Sequence, residues 1–197
     1  MGLLVLLAGF GLGLSLAIPP GPVNALIARE ASRHGAGPAI RAGLAAPIVD
    51  TLYMVAVLFG LPYLVDVQPY LPALAFLGAV LMVYFAWSTA RIPAPATTAP
   101  SAKAVFAAVF VLSVANPLQV TWWLTAGTAL LREQGAWGMA GFFVAIFGWV
   151  VLFAQGMARG ARRWESLEPF VAVLSADLLL AFAVVLLARG LAGLRLV

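Results

Sequence analysis

The chain has 197 residues, 64% of them hydrophobic and 9% charged, with a mean hydropathy of +1.06, a balance that excludes an ordinary soluble protein and reads as an integral membrane protein. The formal net charge of +4 is dispersed beside apolar segments with no dense basic patch, which argues against a nucleic-acid partner. With no cysteine and one histidine, His34, the chain offers neither a disulfide framework nor a thiolate metal site.

The first stretch carries no charge from Met1 to Ala28, long enough to cross a bilayer, yet it is cut by Pro19, Pro20, Gly21 and Pro22. A helix cannot run through these prolines without losing backbone hydrogen bonds. Within hydrocarbon the freed groups must be buried in protein or line a wet cavity, so the break is expected to face a binding site. A helix that simply ends at Ile18, or a signal peptide, is the alternative. A signal peptide should start with a basic region, and this one has none.

The charged residues divide the chain into six apolar spans, approximately 3–28 (broken), 42–65, 69–90, 104–131, 137–158 and 169–188, each near the ~20 residues a crossing helix needs. The runs are apolar on every face and far longer than the ~10-residue alternating strands of an outer-membrane barrel. The predicted fold is an all-α integral membrane protein.

One real linker, Arg91 to Lys103 (RIPAPATTAPSAK), resists regular structure and separates residues 1–90 from 104–197. Each half then holds three spans. An odd number inserts the second half upside down, so six transmembrane helices form two inverted three-helix repeats. A matching break is then expected in the fourth span, and Asn116-Pro117 supplies it, with Pro117 standing about half a chain length after Pro22. Lys and Arg concentrate in the first, third and fifth connections (Arg29, Arg33, Arg41, Arg91, Lys103, Arg159, Arg162, Arg163), against Arg132, Arg189 and Arg195 on the other side. That bias predicts a cytoplasmic linker and external termini.

Two charges fall inside spans, Asp50 and Asp177. A central carboxylate costs roughly 2.5–3.5 kcal/mol to insert, so it normally faces a cavity or a partner. Asp50 reads as a site for a substrate ammonium or a coupling proton, with Tyr53 on nearly the same helix face; the plainer reading is a protonated carboxyl bonded to a neighbouring helix. Asp177, with Ser175 near it, has no comparable motif around it. Asn24 and Asn116 flank the two breaks, where they can cap broken helix ends, hold a substrate, or both. Gln119, Thr121, Trp122, Trp123 and Thr125 make span four polar and aromatic at mid-depth, as cavity lining or helix packing. The candidate transport residues are therefore Pro20, Gly21, Pro22, Asn24, Asp50, Tyr53, Asn116, Pro117, Gln119 and Trp122. Gly21 and Asn116 are expected to share one polar cavity near the membrane midplane.

Taken together, Pro20-Gly21-Pro22, the Gly35-Ala36-Gly37-Pro38-Ala39 connection with Gly43 beyond it, Asp50-Thr51-Leu52-Tyr53 and Asn116-Pro117 resemble the LysE/RhtB family of bacterial amino-acid exporters over essentially the whole chain. Pro47, where the family often has a small residue, and Leu118, where it commonly has lysine, depart from that pattern. The resemblance implies export of a small zwitterionic amino acid or close relative, driven by proton or cation exchange. It also implies a multi-pass protein of a prokaryotic cytoplasmic membrane, with no cofactor, no resident metal and no enzymatic step; a homodimer is compatible with it. Two other classes compete. A divalent metal-ion exporter would have only oxygen ligands here. An intramembrane lipid-handling enzyme or assembly subunit should carry a clustered nucleophile and base, and no such cluster is legible.

Overall fold

The computed structural model describes residues 2–18, 21–60, 68–90, 102–164 and 167–194. These form nine α-helical segments: α1 (Gly2–Ala17), α2 (Pro22–His34), α3 (Ala36–Gly43), α4 (Ala45–Leu58), α5 (Leu71–Ala90), α6 (Ala102–Val114), α7 (Pro117–Trp122), α8 (Thr128–Arg163) and α9 (Leu167–Leu194). A 3-10 turn, Gln68–Tyr70, leads into α5, and a π-helical turn, Trp123–Gly127, joins α7 to α8. Among the described residues there is no strand. Pro20 and most of the central linker lie outside them.

Length and composition single out three helical runs able to cross a membrane, Ala36–Leu58, Gln119–Arg163 and Pro169–Ala192, and a fourth if α1 and α2 count as one bent span. The run Gln119–Arg163 has 45 residues, about twice what one crossing needs. Gly135 divides it: its φ of 58° and ψ of −148° lie in a region open essentially to glycine, and no helix continues through them. A second glycine, Gly35 at φ 85°, turns the chain between α2 and α3 and donates its N–H to the Ala31 carbonyl at 3.0 Å.

Large apolar side chains such as Leu4, Phe59, Val80, Leu152, Phe170 and Val184 lie exposed along the outer faces. In water that surface would be an aggregation liability; against lipid it is the solvent-facing side. Inside, small residues let helices meet. On α5, Ala75, Ala79, Met82 and Ala86 form one buried stripe that joins Leu179, Ala183 and Leu186 of α9 in a common core. Helix α1 packs along α8, where a Cβ added to Gly9 would collide with the backbone of Gly138, and one added to Gly141 with the backbone of Leu6. Gly13 and Gly43 sit in similar close contacts, whereas Gly11, Gly148 and Gly156 face open space and pack against nothing. The other main pairings set α3 and α4 against α6, and α5 against α9.

The two breaks are built alike. Helices α1 and α2 are bent by 78°, with Gly21 extended and Pro22 at the first position of α2, where its missing N–H costs nothing. The Ala17 carbonyl left over at the end of α1 accepts the Asn24 side-chain amide at 2.7 Å. In the second break α6 ends at Val114, whose carbonyl accepts the Tyr53 hydroxyl at 2.9 Å, and the Asn116 carbonyl starts the next helix by accepting Val120 N–H at 3.0 Å. Each break thus has one orphan carbonyl satisfied by a side chain reaching across, as a segment without access to water requires.

Candidate functional site

A cavity of about 410 Å³ opens where the two breaks meet. Gly21, Pro22 and Asn24 contribute the first break, Asp50 comes from α4, Ser113 and Asn116 from the second break, and Gln119 and Trp122 from α7. Gly21 and Asn116 therefore line one common space. The walls between these polar points are apolar, formed by residues such as Ile27, Ile146, Val150 and Phe182. The volume falls within the range of small-molecule sites.

Asp50 is 3% exposed and its surroundings are neutral. Oδ1 accepts the Gln119 amide at 2.8 Å and the Trp123 indole N–H at 2.8 Å. Both donors converge on that one oxygen. The carboxyl is thereby fixed in orientation by two hydrogen bonds without any cation to neutralise it, and Oδ2 retains its full capacity to accept a proton or an ammonium.

Trp123 sits on the π-helical turn, and the wider turn is stitched by side chains. Thr125 donates to the Thr121 carbonyl at 2.8 Å and Thr128 to the Trp123 carbonyl at 3.0 Å, so carbonyls displaced from the regular ladder find donors. Phe142 of α8 packs edge-on to Trp123 at 5.5 Å and stacks on Trp122 at 5.1 Å, wedging both indoles. On the other side of the cavity the Trp149 indole donates to Asn24 Oδ1 at 3.2 Å while the Asn24 amide holds Ala17. Asn24 is thus a brace between α1, α2 and α8.

Of the residues expected from sequence, Gly21, Pro22, Asn24, Asp50, Asn116, Gln119 and Trp122 come together at the cavity. Tyr53 differs: it does not line the cavity, because its hydroxyl turns to the Val114 carbonyl on α6. Pro117 opens α7. Pro20 lies outside the described residues. Asp177 is exposed on the outer face of α9, away from the cavity.

Sequence reasoning undervalued three residues. Trp123, named only as one of an aromatic pair, is the indole that reaches Asp50. Trp149 and Ser113 carried no signal beyond lying in apolar helices. Glu30, buried at 6% exposure and paired with His34 Nδ1 at 3.1 Å, is an internal acid of α2 outside the cavity.

An all-helical chain with membrane-length apolar runs, two helices broken around a cavity and one carboxyl inside it defines the class of broken-helix membrane transporters. The family model described as LysE type translocator matches residues 14–190, and the chain belongs to that family. It is similar to the "Putative amino acid efflux protein YcgF" of Bacillus subtilis (strain 168), with 30% identity over 162 residues, covering 78% of this chain and 73% of that relative. No solved structure matches the chain.

Proposed function

We propose that the protein is a secondary transporter that exports a small amino acid or amino-acid-like solute from the cytoplasm of a prokaryote, by proton or cation antiport with alternating access. The observation that carries this reading is the Asp50 carboxyl, oriented by Gln119 and Trp123 and lining the cavity where both breaks meet. An ammonium and a proton compete for the same oxygen in such a site, which is the elementary requirement of exchange. The first turn of α2 also lines the cavity, so its free backbone N–H groups offer a place for a carboxylate.

Six spans in two inverted repeats are the arrangement we infer, counting α1–α2, α3–α4, α5, the run 102–134, the run 136–163 and α9. The helix pairing supports it. The first span packs on the fifth, the second on the fourth and the third on the sixth. Exchanging the halves turns the first pair into the second and leaves the third unchanged, as a two-fold relation between repeats demands. The inferred mechanism rocks one set of spans against the other around the Asp50 site, with the linker cytoplasmic. The name of the Bacillus subtilis relative agrees with the export direction.

The test is efflux from vesicles reconstituted with purified protein, loaded with a panel of amino acids and subjected to an imposed proton gradient. Asp50→Asn keeps the size and can still accept both hydrogen bonds, so the fold is expected to persist while coupled efflux is lost. Efflux equal to the unsubstituted protein would remove Asp50 from the mechanism.

A further inference from the structure

We propose that Ser113 donates its hydroxyl to the carboxylate of the transported solute, and that this solute is a neutral α-amino acid with an apolar side chain. The inference rests on the transport reading and specifies its substrate.

The helical hydroxyls of this protein follow one rule. Ser15 donates to the Leu12 carbonyl, Ser32 to Arg29, Thr51 to Pro47 and Thr125 to Thr121, each one turn back at 2.7–2.9 Å. That is the default for Ser and Thr in a helix. Ser113 breaks the rule. Its side chain is fully buried on α6, and among the described residues its Oγ meets no hydrogen-bond partner. Buried polar groups are nearly always satisfied, so an orphan calls for an absent partner. Ser113 lines the cavity one turn before Asn116, which makes whatever fills that space the partner.

The rest of the cavity says what that is. Asp50 supplies one acceptor with an open oxygen for an ammonium. Ser113 supplies a donor for a carboxylate. No Lys, Arg or second acid lines the space, and the remaining wall is made of side chains such as Leu16, Val23, Ile27, Ile146, Val150 and Phe182. A cationic side chain would find no second carboxylate there, and an anionic one no base. An apolar side chain is the group such walls accept without a desolvation penalty.

The experiment measures efflux of leucine, leucinamide, lysine and glutamate from reconstituted vesicles, for the unsubstituted protein and for S113A, together with thermal melting of both in detergent. Leucine is expected to leave faster than lysine or glutamate. In S113A the KM for leucine should rise about tenfold while that for leucinamide, which lacks the carboxylate charge, changes little, because a hydrogen bond to an ion is worth about that factor. S113A should melt no lower than the unsubstituted protein, since an orphan hydroxyl stabilises nothing. Leucine efflux insensitive to S113A, or a lowered melting point, overturns the role of Ser113 and leaves transport standing. Preference for lysine or glutamate overturns the substrate class alone. Absence of any amino-acid efflux overturns the transport reading and this one with it.

Discussion

The indole N–H of Trp123 lies 2.8 Å from Oδ1 of Asp50, so a π-helical turn in the second half of the chain holds the one acid of the cavity, which belongs to the first. The bond crosses between the halves that alternating access would move. Trp123→Phe keeps an aromatic ring against Phe142 and removes the donor. A hydrogen bond to a charged group contributes about 1.5–3 kcal/mol, so the variant is expected to melt lower in detergent and to lose most coupled efflux. A Trp123→Phe protein with unchanged melting and efflux would show that Gln119 alone orients the carboxyl.

Tyr53 has a different consequence. Its hydroxyl caps the Val114 carbonyl and does not line the cavity. Tyr53→Phe leaves that carbonyl unsatisfied in a segment without water, which costs about 1–3 kcal/mol. The expected result is a lower melting temperature and slower turnover with substrate affinity retained, read as a fall in Vmax at constant KM. A change confined to KM would place Tyr53 at the substrate instead.

The glycines of α1 supply an internally controlled pair. A methyl at Gly9 runs into the Gly138 backbone, and backbone cannot yield as a flexible side chain can, so Gly9→Ala should cost about 1–3 kcal/mol by forcing α1 away from α8. A methyl at Gly11 meets nothing within 4 Å, and alanine is the better helix former by about 1 kcal/mol. Gly11→Ala is therefore expected to melt at or above the unsubstituted protein. Thermal melting in one detergent decides both, and equal effects would contradict the α1–α8 packing.

Asp177 is exposed on α9, outside the cavity. Asp177→Leu should raise the yield of inserted protein, because a carboxylate on the lipid face costs roughly 2.5–3.5 kcal/mol that leucine does not. Efflux should be unchanged. Loss of efflux in this variant would give Asp177 a part in transport.

What the sequence by itself determined follows from backbone chemistry that does not depend on context. Proline has no N–H wherever it stands, hydrocarbon offers no water, and a lone acid inside an apolar run must find company. The two breaks and the importance of Asp50 were legible on those grounds, as was the all-helical architecture. Which groups keep Asp50 company was not. Tyr53, three residues away, goes to another helix, while Gln119 and Trp123, 69 and 73 residues on, supply both donors. Helices that are apolar all round carry no stripe to say which face turns inward, so a serine on α6 and an aspartate on α9 read alike in sequence. Only the crossing and rotation of packed helices decided that Ser113 faces the cavity and Asp177 the outside.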